Sequence, residues 1–156
     1  MRRRGFALLL GIALSAAALG PARTVRATLG ETGDSVTKDQ KVLSAVRRAA
    51  TAGRSYTVQE LKSDSNEVRE YVAPSGVVFA ISWNGLVHPD LAPLLGSYAG
   101  EYREALRHTP RKPGQRSRRV KSDRVVVEQW GHMRNMQGRA YLPALIPPGV
   151  TIDEIR

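Results

Sequence analysis

The chain has 156 residues, no cysteine, and 24 Lys or Arg against 14 Asp or Glu, for a formal net charge of +10. That length serves one domain with a single core. The absence of cysteine excludes a disulfide framework, a lipid-modified N-terminal cysteine and a paired-cysteine zinc site.

Residues 1–27 read as a secretory signal. Arg2, Arg3 and Arg4 form a positive start, residues 6–19 (FALLLGIALSAAAL) are uncharged and apolar, and Gly20-Pro21 breaks the run. Fourteen residues fall short of the ~20 that a helix needs to span a bilayer but suit a cleaved leader. Val25-Arg26-Ala27 offers the cleavage site. Arg3-Arg4-Gly5-Phe6 also fits the twin-arginine route, although the general secretory route is favoured. Loss of the segment's five arginines brings the net charge from +10 to +5, much of it lying between Arg107 and Arg124. The mature protein is expected in the periplasm or outside the cell, with no disulfide to support its core.

Residues 28–54 are expected to form a polar loop and then a short amphipathic helix, since Val42, Ala45, Val46 and Ala49 fall at helical spacing. Residues 55–85 predict three strands and two tight turns. Residues 56–61 are rich in β-formers, Ser63-Asp64-Ser65-Asn66 is turn chemistry, residues 68–72 alternate, and Pro74-Ser75-Gly76 supplies the second turn. Within residues 77–83, Val77, Phe79, Ile81 and Trp83 alternate with Val78, Ala80 and Ser82. This is a central strand with its large side chains toward the core.

Asn84-Gly85 closes that strand. Asp90 is then a natural N-cap, placing Pro93 in the first helical turn where its missing N–H costs little. Leu91, Leu94, Leu95, Tyr98, Tyr102, Ala105 and Leu106 form one helical stripe. Ala92, Gly96 and Gly100 recur every fourth residue, which predicts close approach of another backbone. His88 and Asp90 accordingly mark a strand-to-helix passage and not a chemical pair.

Residues 107–124 carry eight Lys or Arg against one Asp, with Pro110, Pro113 and Gly114, and predict a mobile basic loop. RVVVEQW and RAYLPAL, separated by residues 131–138, predict a fourth and fifth strand. The Pro-rich residues 146–156 predict an extended surface tail. The expected fold is α+β: an antiparallel sheet of about five strands in β-β-β-α-β-β order, packed by one main helix within residues 55–145. Trp83, Trp130, Tyr71 and Tyr141 are expected to pack its faces.

The blocks LGETGDSV, YTVQEL, VREYVAPSGVVFAISWNG, PDLAPLLGSY, GHMR and GRAYLPALIPPGV follow one another in order. Together they resemble the proteobacterial secreted family called domain of unknown function 2844, across nearly the whole mature chain. The resemblance implies a small exported protein and brings no activity, cofactor or catalytic residue.

No nucleophile elbow, H-E-x-x-H or phosphate-binding glycine loop occurs, so no catalytic residue and no cofactor is assigned. The metal candidate is His132 with Met133 and Met136, an imidazole and two thioethers that suit Cu(I). The anion-binding candidate is the basic loop, through Arg111, Lys112, Arg116, Arg118, Arg119 and Lys121. Its partners would be anionic lipid, lipopolysaccharide or an acidic glycan. Nucleic acid is a poor partner for an exported protein whose loop has no aromatic for base stacking. The sequence thus favours a non-enzymatic binding or accessory protein of the cell envelope. The alternatives are a copper-handling protein and an envelope enzyme using His132 with a carboxylate.

Overall fold

The computed structural model describes residues 29–32, 46–52 (backbone), 55–111 and 113–156; residues 1–28, 33–45, 53–54 and 112 lie outside the described residues. Its frame is a seven-stranded antiparallel sheet, β1 (Val46–Ala52), β2 (Thr57–Lys62), β3 (Asn66–Val72), β4 (Val78–Gly85), β5 (Ser117–Lys121), β6 (Val126–His132) and β7 (Asn135–Tyr141). The strand order is β1-β2-β3-β4-β7-β6-β5. The first four strands run as a meander. A helical segment then carries the chain to the far edge, and β5, β6 and β7 return to pair with β4. The α+β class and the expected order are therefore present, with an extra strand at each edge.

Both edge strands correct the sequence reading. The helix expected around Val46 and Ala49 is β1, which pairs with β2 through a bulge between Arg47 and Ala49; Val42 and Ala45 lie outside the described residues. The unpaired edge of β2 offers a row of backbone donors and acceptors, and pairing with it overrides a short run of small apolar residues at helical spacing. The basic loop likewise ends at residue 116, because Ser117–Lys121 pairs with β6 as β5. Val120 alone on that strand is deeply buried. One inward apolar side chain suffices for an edge strand, which leaves no hydrophobic period to detect.

The helical segment starts as expected. The Asp90 carboxylate accepts from the Ala92 N–H at 2.9 Å and opens α1 (Leu91–Leu95). Gly96 then adopts φ +47°, a 3-10 turn follows, and α2 (Ala99–Arg107) resumes. The apolar stripe survives this break: Leu91, Leu94, Leu95, Ala99 and Tyr102 are buried against Val68, Ile81, Trp83, Val120, Val127 and Ala140. At Gly100 the expected close approach of another backbone is absent among the described residues. Gly96 supplies a left-handed conformation, and a Cβ on Gly100 would meet nothing within 4 Å. Nothing in the structure explains Gly100.

A second core lies on the opposite sheet face, where Tyr71, Phe79, Ala80, Val126 and Tyr141 enclose Ile155. Phe79 departs from the expected alternation. Tyr71 pairs with Ala80 and Val72 with Val78, so Phe79 is the extra residue of a bulge and turns away from Ile81 and Trp83. The C-terminal segment is not an extended tail. After a 3-10 turn at Pro143–Leu145, residues 146–156 form a second at Ile152–Glu154 and bury Ile155 completely. Leu29 is an equally buried anchor; its N–H donates to the Leu94 carbonyl, while Gly30 N–H donates to that of Val78.

Candidate functional site

The turn between β2 and β3, the β4–α1 loop, the β6–β7 turn and the approach to β5 all lie at one end of the sheet, as the antiparallel register requires. Between the last three opens a cleft of about 420 Å³ lined by His88, Arg111, Gln115, Arg116, Ser117, Arg118, Gln129, Trp130, Gly131, His132 and Met136. Three guanidinium groups and two imidazoles line this space, and among the described residues no carboxylate does.

Trp83 positions His88. Its indole is buried on the helix-facing side of the sheet, over the cross-strand partner Gly138, and Nε1–H donates to His88 Nδ1 at 3.0 Å. With Nδ1 accepting, the neutral ring carries its proton on Nε2. Partial burial, and secondarily the positive charge of Arg111, push the His88 pKa below its ordinary value. Protonating Nδ1 would also set two donors against each other. The unfolded chain therefore binds more protons than the folded one between the depressed and the ordinary pKa. This contribution to stability is lost as pH falls through that window. An NMR titration should find His88 titrating below the ordinary value of roughly 6.5, and Arg111→Ala should raise it. Unchanged titration in that variant would remove Arg111 from the neighbourhood of the ring.

The basic residues divide by what already holds them. Arg118 is half-buried, and its Nη2 donates to the carbonyls of Leu106 and Thr109 at the end of α2, while Nε is buried without a partner. It ties β5 to the helix and offers the cleft a fixed charge. Arg119 faces the other side of the sheet and pairs with Glu128 at 3.1 Å. Lys121 sits at the opposite end of β5. Arg111 and Arg116 are exposed, line the cleft and carry no ion pair among the described residues; Lys112 lies outside the described residues. Of the six expected anion contacts, the structure brings three to one place.

Of the metal candidates, His132 and Met136 line the cleft and Met133 does not; it is 89% exposed at the tip of the β6–β7 turn. No group of three His, Cys, Asp or Glu is placed to hold a metal among the described residues. His108 is elsewhere, on Glu104 at 3.1 Å beyond α2. A second cleft of about 690 Å³ adjoins the first through Arg118 and Trp130, and two of its four arginines, Arg119 and Arg139, are matched by Glu128. Glu128 bonds Arg139 at 2.6 Å as well as Arg119, and Arg139 lies over the Trp130 ring at 5.6 Å.

Sequence reasoning assigned His88 to a passage between elements and missed its place in the cleft. The available signal was its position after Trp83 at the sheet end where the basic segment also arrives. The reading of Asp90 as a cap stands, as does the packing role of Trp83, Tyr71 and Tyr141, all buried; Trp130 is only half-buried.

Fold and cleft together define a small antiparallel α+β domain with a basic pocket, lined among the described residues by no carboxylate, at one end of its sheet. The family described as "Protein of unknown function (DUF2844)" matches residues 25–155, and the chain belongs to that family. No curated protein and no solved structure matches the chain.

Proposed function

We propose that this is an exported cell-envelope protein that binds a phosphate- or carboxylate-bearing ligand in the cleft without transforming it. One observation carries the reading: Arg111, Arg116 and Arg118 converge with His88 and His132 on a cleft that, among the described residues, no carboxylate lines. A concave surface of one sign focuses its field and draws in the opposite charge, and guanidinium forks match phosphate and carboxylate oxygens. Arg118, held by main-chain carbonyls, is preorganised for this role. An acid–base pair with His132 would need a carboxylate, and among the described residues the lining contains none.

Export is supported by the arginine-led apolar segment at residues 6–19 and by the family match starting beyond it, at residue 25. Among the described residues no helix is long and apolar enough to cross a membrane.

Calorimetry with inorganic pyrophosphate at low salt tests the binding. Arg111→Ala and Arg116→Ala should each weaken binding by about tenfold, the scale of one hydrogen bond to a charged group. Bound pyrophosphate should also raise the His88 pKa. Absence of binding, or equal binding by the double variant, defeats the reading. Because His132 and Met136 share the cleft, the same preparation is titrated with Cu(I). Stoichiometric copper lost in His132→Ala would put the copper-handling reading in its place.

A further inference from the structure

We infer that the sheet end bearing the cleft docks onto an anionic lipid surface, with Leu86, Val87 and Met133 entering the interfacial layer beside the cleft's arginines. The inference rests on the anion-binding reading and narrows its ligand to lipid headgroup phosphates.

The first observation is where exposed apolar side chains lie. Leu86 is 50%, Val87 54% and Met133 89% exposed, and these are three of the four large hydrophobic residues so exposed among the described residues; the fourth, Leu145, follows the opposite end of β7. Scattered exposed apolar residues are ordinary, but these three share one end. Gly85 pairs with Met136, and just past that pair the chain leaves the sheet at Leu86 and Val87 while the adjoining hairpin turns at Met133 and Arg134.

The turn itself is the second observation. Met133 and Arg134 have φ of +45° and +65°, so this two-residue hairpin takes the left-handed conformation at both central positions. Asn-Gly or Gly-Gly fits such a turn without strain, whereas a long side chain at each position costs stability. Met133 contributes almost nothing to the core in return. An apolar and a cationic side chain are thus presented outward at the tip, at the fold's expense.

Charge supplies the third. Beside these tips the cleft brings Arg111, Arg116 and Arg118 and, among the described residues, no carboxylate, with Arg134 on the tip itself. Asp90 is committed to capping α1, and Asp64 on the β2–β3 turn, next to the Ser65 whose carbonyl accepts from Leu86 N–H, is an acid near the tip that the four arginines outnumber. Apolar residues flanked by cations are what interfacial binding to anionic lipid needs, since affinity grows with inserted apolar area and with each cation near the headgroups.

Cosedimentation of the mature chain with vesicles of phosphatidylcholine, with and without phosphatidylglycerol, tests this. Binding should require phosphatidylglycerol and fall as salt rises. Each of Arg111→Ala and Arg116→Ala should weaken it about fivefold. Leu86→Ser with Val87→Ser should weaken it about tenfold while leaving pyrophosphate affinity and the circular dichroism melt unchanged. Met133→Gly should raise thermal stability, by relieving the turn, yet bind vesicles less well. Retained pyrophosphate binding without vesicle binding overturns the lipid inference and leaves the anion-binding reading intact. So does vesicle binding indifferent to the Leu86 and Val87 changes. Loss of pyrophosphate binding in the unmodified chain instead defeats the underlying reading.

Discussion

Gly138→Ala is expected to destabilise the protein by about 3 kcal/mol, the upper range for adding one methyl to a packed interior. A Cβ at Gly138 would stand 2.2 Å from Trp83 Cζ2 and 2.6 Å from the Glu128 carbonyl oxygen. Neither neighbour can yield cheaply. The indole is buried on all sides and tethered through Nε1 to His88, and the carbonyl belongs to the β6–β7 ladder. Gly100→Ala is the matched control. Its Cβ meets nothing within 4 Å and it sits inside α2, so the substitution should stabilise by about 0.5–1 kcal/mol. Urea denaturation with an unchanged m-value measures both. A Gly138→Ala protein within about 0.5 kcal/mol of the parent, the range of an ordinary surface change, would mean that Trp83 is not where the structure puts it. The same substitution should perturb the His88 titration, because moving the indole removes the donor to Nδ1.

The Trp83–Gly138 contact also shows which parts of the fold the sequence exposes. Strands β2 to β4 are legible because both their faces are specified locally, through alternation along each strand and turn chemistry at its ends. The α1 start is legible because Asp90 and Pro93 agree on where a helix can begin. The edge strands are not, since a strand with one covered face and one neighbour needs little from its own side chains. Val120 alone anchors β5, and β1 forms because β2 has an open edge. Phe79 is illegible for a different reason. A single bulge opposite Tyr71 reverses the face it occupies, and no local pattern announces the bulge. The candidate site follows the same logic. Its positive charge is plain in the composition, but whether an arginine is available depends on partners distant in sequence. Arg118 is held by carbonyls at the end of α2 and Arg119 by Glu128 across the ladder, while Arg111 and Arg116 carry no ion pair among the described residues. His88 joins them only because the sheet brings Trp83 and the β4–α1 loop to the same end.

The C-terminal segment gives the sharpest contrast between a composition-based expectation and the three-dimensional result. An extended surface tail would tolerate Ile155→Ala within about 0.5 kcal/mol; the structure predicts a loss of about 3 kcal/mol, in the range for truncating a fully buried isoleucine. Ile155 has no exposed surface and lies among Tyr71, Phe79, Ala80, Val126 and Tyr141. Its position is fixed from both sides along the chain. Arg139 Nη1 donates to the Ile152 carbonyl at 2.6 Å, and the Arg156 N–H donates to Tyr71 Oη at 2.9 Å. Thr151 and Glu154 close the preceding 3-10 turn with a reciprocal capping box. Those tethers keep the segment from collapsing into the space a smaller side chain leaves, so the cavity should persist and its cost should be felt in full. Ile155→Val, which deletes one methylene, should lose about 1 kcal/mol, giving a graded series in urea denaturation. If both variants unfolded with the parent, the second sheet face would be held by Tyr71, Phe79 and Tyr141 alone, and the Arg139 contact to Ile152 would be a surface bond of little energetic consequence.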